Sequence, residues 1–182
     1  MAACPFKASE VDSPLFHDRK LETLKAKIVP PSITPNLRAA VLPLSMNSKR
    51  QRVVALALPN LQLQGTISPS LANLSFLSLL NLDNNQLQES IPASLFQHRR
   101  VQVISLAFNK LGGEMWKGPW YVPELRVFDL TNNSLTGIIP PSVGNATKMM
   151  NFSLSGNRVS GNIPKEVGNL SQLAALYLSD NL

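Results

Sequence analysis

The sequence predicts an α/β-type repeat solenoid over residues 52–182, with short parallel strands on a concave face and irregular or 3-10 turns on a convex face. Three observations support this prediction: a strict 24-residue period, apolar residues at strand spacing inside each period, and an asparagine at one fixed place in most periods. Such short strands bury their apolar faces only when successive repeats stack, which makes the leucines a continuous core.

The apolar framework defines where the repeats begin. Five full repeats start at Val53, Leu77, Val101, Leu125 and Met149, and a partial one starts at Leu173. A second apolar residue follows three positions later, and a leucine two positions after that, as in Phe128 and Leu130 of the fourth repeat. Spacing of two places both side chains on one side of a strand. Each repeat is therefore expected to contribute one short strand.

Polar and turn residues recur in phase with this framework. An asparagine amide both donates and accepts, so one per repeat satisfies backbone groups that the turn after the strand leaves unpaired. The predicted structural ladder consists of Asn85, Asn109, Asn133, Asn157 and Asn181. A glycine four positions after the ladder asparagine suits a tight bend, and a proline after it starts the back of the repeat.

The motif LxxLxLxxNxLxGxIPxxLGNL is typical of the plant-specific leucine-rich repeats. It is carried by LTNNSLTGIIPPSVGNATKM (130–149) and LSGNRVSGNIPKEVGNLSQL (154–173). The segment RVVALALPNLQLQGTISPSLANLSFL (52–77) resembles the first repeat of plant leucine-rich-repeat receptor-like kinases. The resemblance implies the N-terminal part of a glycosylated ectodomain at the cell surface (plasma membrane, extracellular side), with roles in signal transduction or defence.

The chain departs from that family in several respects. The N-terminal sequence lacks the expected secretory signal and paired cysteines, and the motifs GxGxxG and HRD of the family's kinase domain do not occur. The sequence therefore predicts no enzyme activity, and it is expected to be a truncated receptor fragment. No apolar run is long enough for a membrane helix, so no direct membrane span is expected either.

Residues 1–51 form a basic, proline-containing leader. Residues 1–52 carry nine basic and four acidic side chains, a net charge of +5, whereas residues 53–182 carry a net charge of only +1. Two interpretations remain open: a disordered segment, or a helix over DSPLFHDRKLETLKAKIV (12–29) that acts as a partial cap. The charges are too mixed to predict a nucleic-acid partner.

Metal, cofactor and nucleophile chemistry finds no support in the composition. Cys4 is the single cysteine, and His17 and His98 are the only histidines. These residues exclude an internal disulfide and a cysteine-based zinc site. The sequence therefore predicts no cofactor and no metal.

Function is expected on the strand residues that point away from the core. Six strands about 4.8 Å apart make a face roughly 24 Å long, which suits an extended peptide of about seven residues. The predicted partner is a peptide or protein ligand, with a leucine-rich-repeat co-receptor as the alternative, and Phe108 is the candidate apolar anchor. The candidate contact residues are Asn81, Asp83, Ser105, Phe108, Asp129, Thr131, Ser153, Ser155, Tyr177 and Asp180.

The third repeat departs from the pattern after Met115, where WKGPWYVPEL (116–125) replaces the usual back segment. Its length still preserves the register. Trp116, Trp120 and Tyr121 are predicted on the convex or lateral face, either packed beneath an irregular loop or exposed as a protein-contact patch.

Five Asn-x-Ser/Thr sequons fit a chain whose relatives pass through the secretory pathway. The glycosylation candidates are Asn73, Asn132, Asn145, Asn151 and Asn169. Two alternatives to a ligand-sensing module remain: an inhibitor of a secreted enzyme, resembling the polygalacturonase inhibitors, or a non-functional truncated product.

Overall fold

The computed structural model describes the backbone of residues 44–47 and all of residues 52–182. Cys4, His17 and the predicted helix over residues 12–29 lie outside the described residues.

The principal sheet has seven strands, six of which follow the predicted repeats. The strands are β1 (Leu44–Asn47), β2 (Arg52–Ala57), β4 (Leu79–Asn81), β6 (Val103–Ser105), β8 (Val127–Asp129), β10 (Asn151–Ser153) and β11 (Ala175–Tyr177). They lie in the order β1-β2-β4-β6-β8-β10-β11. All neighbours from β2 onward are parallel, whereas β1 pairs antiparallel with β2 and was not predicted.

The register of this sheet equals the sequence period. Leu56 pairs with Leu80, and Leu80 with Ile104, so equivalent residues of successive repeats lie side by side. Their side chains are buried and form one continuous core with the leucines two positions later. The predicted α/β-type repeat solenoid is confirmed.

A second, parallel sheet runs along the turn side of the repeats. It contains β3 (Gln64–Thr66), β5 (Gln86–Glu89), β7 (Lys110–Glu114) and β9 (Ser134–Thr136), in that order. The sequence analysis expected only a bend here. Stacking at fixed register brings the backbone after each ladder asparagine beside its equivalent in the next repeat, so these segments pair without a strong strand pattern.

The convex face carries short 3-10 helices, as predicted. They span Pro69–Asn73, Ala93–Gln97, Pro141–Asn145 and Lys165–Asn169. Prolines 92, 140 and 164 precede the last three in an extended conformation, and in the first Ser68 Oγ accepts the Ser70 N–H at 3.2 Å. The third repeat lacks such a helix.

The third repeat replaces its helix with an irregular segment anchored by Trp120. Of the two predicted arrangements, packing beneath an irregular loop is confirmed for this residue: only 2% of Trp120 is exposed, and its ring packs 4.7 Å from Phe96 and 5.6 Å from Phe128. Its indole N–H donates to the Trp116 carbonyl at 2.9 Å. Trp116 and Tyr121 remain exposed, so the aromatic segment is divided between core and surface.

A column of left-handed backbone conformations marks the bend in each repeat. Gly65, Gly113, Gly137 and Gly161 have φ between +73° and +103°, and Glu89 occupies the same position with φ +67°. A side chain in this region costs roughly 1–2 kcal/mol. Glu89 is therefore a strained residue in a position built for glycine.

Replacing Glu89 with glycine is expected to stabilise the protein by about 0.5–1 kcal/mol, because relief of strain exceeds the added entropy of the unfolded chain. Urea unfolding followed by circular dichroism measures the change. The matched control, Gly137→Ala, should destabilise, since its Cβ would lie 2.8 Å from the Glu114 side chain. A loss of stability on Glu89→Gly contradicts the argument.

Candidate functional site

The concave surface is built from the outward residues of the principal sheet. The strand register places Ala57, Asn81, Ser105, Asp129, Ser153 and Tyr177 in one column across the repeats. The polar members of this column and the residues two positions later bond to one another. The result is a pre-arranged polar surface rather than a set of independent side chains.

The first polar cluster centres on Asp83. Its carboxylate accepts the Ser105 hydroxyl at 2.7 and 2.8 Å and the Ala107 N–H at 2.8 Å. Asn81 Oδ1 accepts the Asp83 N–H at 3.0 Å. Burial raises the pKa of the Asp83 carboxyl above its ordinary value of 3.8, despite these hydrogen bonds, and the nearby Asp129 charge adds to the rise.

The raised pKa of Asp83 predicts a pH-dependent stability. The folded protein holds this proton more tightly than the unfolded chain, so stability is lost as pH rises from 3.8 through the folded pKa. Asn at position 83 accepts the same two donors without a charge. The gain in Tm from Asp83→Asn should therefore be larger at pH 7 than at pH 3, measured by thermal unfolding.

The control for that measurement is Asp180→Asn, a change at an exposed carboxylate of the same face. It corrects for the general effect of removing one negative charge. A Tm difference for Asp83→Asn that shrinks as pH rises would show that the buried carboxylate does not destabilise the fold.

The second polar cluster centres on Asp129. Its Oδ1 accepts the Thr131 N–H at 2.9 Å and the Thr131 hydroxyl at 2.6 Å. The Thr131 and Ser153 hydroxyls lie 2.6 Å apart, and farther along the face the Ser179 hydroxyl donates to that of Ser155 at 3.0 Å. Ser153 is buried, with 8% exposed, so this candidate contact residue supports its neighbours from below the surface.

Two exposed aromatic side chains rise from this polar surface. Phe108 is 54% exposed and Tyr177 is 56% exposed. They lie three repeats apart, which corresponds to about 14 Å along the stacking direction at the spacing of parallel strands. Asp129 and Ser155 belong to the two repeats between them. The concave face thus presents two apolar contacts separated by hydrogen-bonding groups.

Phe108 has a backbone conformation unusual for its residue type. Its φ is +56°, and the equivalent positions with positive φ hold Asn60, Asn84, Asn132, Gly156 and Asp180. Asparagine, aspartate and glycine tolerate this region, whereas a bulky aromatic residue is an outlier there. Phe108 was predicted as a contact residue because it is an apolar side chain at an outward position of the repeat. The stronger signal was a phenylalanine in a column of asparagine, glycine and aspartate.

The ladder asparagines lie beneath the concave face and tie each repeat to the preceding one. Asn157 is representative: its Oδ1 accepts the Leu135 N–H at 3.0 Å, and its Nδ2 donates to the Leu130 and Leu154 carbonyls at 2.9 Å. The same pattern recurs at Asn85, Asn109, Asn133 and Asn181. These side chains are engaged with the backbone and are not available to a ligand.

All five sequon asparagines are exposed. Asn73, Asn145 and Asn169 lie at the ends of 3-10 helices on the convex side, away from the concave face. Asn151 lies in β10, and Asn132 follows β8. A glycan on either of these last two would cover part of the candidate contact surface.

His98 has a structural position in the described part of the chain. It is buried, its Nε2 lies 3.0 Å from the Leu74 carbonyl, and its Nδ1 accepts the Val101 N–H at 3.1 Å. Both ring nitrogens are therefore occupied by backbone groups. Within residues 52–182 no three His, Cys, Asp or Glu side chains lie close enough together to hold a metal ion.

No helix in the described part of the chain has the length and hydropathy required to cross a lipid bilayer.

Comparison with known proteins agrees with this geometry. The Leucine Rich Repeat family matches residues 76–98, 124–146 and 148–170. None of the curated proteins compared by sequence matches the chain. The fold and the matched segments define a leucine-rich-repeat solenoid.

Comparison with solved structures shows which kind of leucine-rich-repeat protein the chain is similar to. The Arabidopsis receptor kinase HAESA ectodomain, in complex with an IDA peptide hormone lengthened at its N-terminus, shares 30% identity with a TM-score of 0.76, over 89% of this chain and 28% of that one. A chain of the BIR3–SERK2 complex from Arabidopsis thaliana shares 30% identity with a TM-score of 0.73, and the match covers 89% of this chain and 91% of that one. The plant peptide hormone receptor RGFR1, in complex with RGF2, shares 36% identity with a TM-score of 0.69, over 71% and 21%.

The chain belongs to the plant leucine-rich-repeat receptor kinase family, and its similarity is to the ectodomains of that family. It spans about a fifth of the length of the RGFR1 chain.

Proposed function

We propose that residues 52–182 form a binding module of a receptor-kinase ectodomain, which recognises an extended peptide or the surface of a co-receptor along its concave face. The observation that carries this proposal is Phe108, a half-exposed aromatic side chain held in a strained backbone conformation. Strain of this kind persists where the surrounding structure enforces it, and it clusters at functional sites.

The geometry indicates what such a ligand presents. Phe108 and Tyr177 supply apolar contacts about 14 Å apart along the stacking direction, in different columns of the concave face. An extended peptide rising about 3.3 Å per residue spans that distance in four residues. Asp129, between them, has one carboxylate oxygen engaged by Thr131. A matching ligand carries two apolar side chains about four residues apart with a basic residue between them.

Similar ectodomains support a peptide as the ligand. The HAESA structure contains the IDA peptide hormone, and a second HAESA structure contains IDA together with the co-receptor SERK1. RGFR1 is in complex with RGF2. By analogy we place this module on the extracellular side of a plant cell, in signalling or defence, with binding rather than catalysis as its activity. Five exposed sequons are consistent with that compartment.

Selection from a displayed library of random 12-residue peptides on the immobilised chain tests the proposal. Enriched peptides are expected to bind the double variant Phe108→Asn/Tyr177→Ser at least about tenfold more weakly, because two aromatic contacts are lost. The matched control is Tyr121→Ser, which removes an exposed aromatic side chain elsewhere in the third repeat and should leave affinity unchanged. Failure to enrich any peptide, or equal binding to the double variant, overturns the proposal.

A further inference from the structure

A second surface with its own chemistry lies at the beginning of the first three repeats, in the position immediately before each framework residue. Arg52, Phe76 and Arg100 occupy this position and are spaced by the repeat length. The guanidinium carbon of Arg52 lies 4.0 Å from the centroid of the Phe76 ring, and that of Arg100 lies 4.5 Å from it. The two cations come from the repeats on either side of Phe76, so they cover opposite faces of its ring.

This stack leaves two positive charges without an ion-pair partner among residues 52–182. The carboxylate ion pairs within that range are Lys117 with Glu114 and Lys148 with Glu124. A guanidinium that stacks by its face keeps its N–H edge for a planar acceptor such as a carboxylate. Stacking also restricts the arginine side chains, so little entropy is lost when an acceptor binds.

The stack lines a surface groove of about 590 Å³, together with Ser78, Gln102 and Glu124. Glu124 does not neutralise the arginines, because Lys148 donates to its two oxygens at 2.7 and 2.9 Å. The Lys148 hydrogen bond lowers the pKa of Glu124, which therefore stays ionised and paired. Besides the two arginines, the groove is lined by polar Ser78 and Gln102 and by apolar Val54 and Phe76, so its unpaired charge is positive.

We propose that this groove, here named the arginine groove and defined by Arg52, Phe76 and Arg100, docks an acidic peptide segment with carboxylates two residues apart. The two guanidinium groups lie about 8 Å apart across the ring, given the usual cation–π geometry. Residues i and i+2 of an extended peptide point to the same side and are about 6.6 Å apart. Glutamate side chains at those positions reach both guanidinium edges.

The dimensions of the arginine groove favour a peptide over other anions. A single inorganic anion fills a small part of about 590 Å³. A nucleic-acid strand would place phosphates along a surface whose net charge, over residues 52–182 with nine basic and seven acidic side chains, is only +2. The inference goes beyond the proposed function, because the groove lies at the N-terminal ends of the strands, with Arg52 and Val54 in β2, rather than on the concave column. It also recognises acidic rather than basic residues.

Fluorescence anisotropy with labelled Gly-Glu-Gly-Glu-Gly tests the arginine groove on the full chain. The peptide is expected to bind at least about tenfold more tightly than Gly-Gln-Gly-Gln-Gly, and Arg52→Gln or Arg100→Gln should each weaken it about fivefold to tenfold. Arg99→Gln is the matched control, since Arg99 also stacks on an aromatic ring, 5.0 Å from the centroid of Tyr121. It should leave binding unchanged.

Further controls distinguish specific binding in the arginine groove from misfolding and from general anion binding. Circular dichroism confirms that each variant is folded, and Phe108→Asn should bind the acidic peptide like the wild type. Equal affinity for the glutamate and glutamine peptides, or an equal loss on Arg99→Gln, overturns the proposal. Displacement of the peptide by inorganic phosphate at similar concentration would likewise overturn it, because it would identify a general anion site.

Discussion

Replacing Asn157 with alanine is expected to lower the free energy of unfolding by about 2–4 kcal/mol. The asparagine is buried, and its removal leaves the Leu135 N–H without a partner, whereas the Leu130 and Leu154 carbonyls keep the amides of Asn133 and Asn181. A buried polar group left unpaired costs about 1–3 kcal/mol, and the two hydrogen bonds that Asn157 donates to the carbonyls are lost as well. The sum is a large share of the 5–15 kcal/mol by which most domains are stable.

Urea unfolding measures the loss of stability, and two further variants serve as comparisons. Asn157→Asp keeps an acceptor for Leu135 but loses both donors, so it should be about as destabilising as alanine. Asn162→Ala changes an exposed asparagine of the next turn and should alter stability by less than about 0.5 kcal/mol. Similar small effects at Asn157 and Asn162 would contradict a ladder that holds the repeats together.

The second large effect is expected from Trp120→Ala, at about 3–5 kcal/mol of lost stability. The ring is buried between Phe96 and Phe128, and Phe128 in turn stacks on Phe152 with centroids 5.9 Å apart. Removal leaves a cavity where the third repeat has no 3-10 helix to cover the core. Differential scanning calorimetry should show a marked decrease in Tm.

Trp116→Ala is the control for Trp120→Ala, because it removes a tryptophan of the same segment that is exposed at the surface. Its expected effect on stability is below about 1 kcal/mol. The Trp116 carbonyl that accepts the indole N–H of Trp120 is a backbone group and persists in this variant. A larger loss for Trp116→Ala than for Trp120→Ala would contradict the placement of Trp120 in the core.

The repeat architecture was predictable because each framework residue acts in the same way in every repeat. Leu56, Leu80 and Ile104 pair in register, so a period of 24 residues in the sequence becomes a column in space. The outward column that includes Asn81, Ser105 and Tyr177 follows from the same register. The residues of the concave face could therefore be derived from their positions within the 24-residue repeat alone.

Features outside the period were not predictable in the same way. Trp120 replaces a helix that the third repeat lacks, and its burial depends on space left by Phe96 and Phe128. Ser153 is buried, and its hydroxyl lies 2.6 Å from that of Thr131 in the preceding repeat. Residue spacing does not predict the burial of Trp120 or of Ser153, because each depends on the size and rotamer of a side chain in a neighbouring repeat.

The strain at Phe108 was predictable in principle. The position before each ladder residue holds asparagine, glycine or aspartate in the other five repeats, residue types that tolerate positive φ. A comparison of residue types down that column would have identified the outlier. The arginine groove illustrates the same point, since stepping by 24 from Arg52 leads to Phe76 and Arg100.

The central claim, that the concave face is a binding surface, is tested most directly by measuring stability and peptide affinity together for Phe108→Asn. Asparagine fits the left-handed conformation, so the free energy of unfolding should rise by about 1 kcal/mol. Affinity for a selected peptide should fall at least about fivefold, because the aromatic contact is lost. A variant that is more stable and binds equally well would contradict the claim, since Phe108 would then be strained without serving recognition.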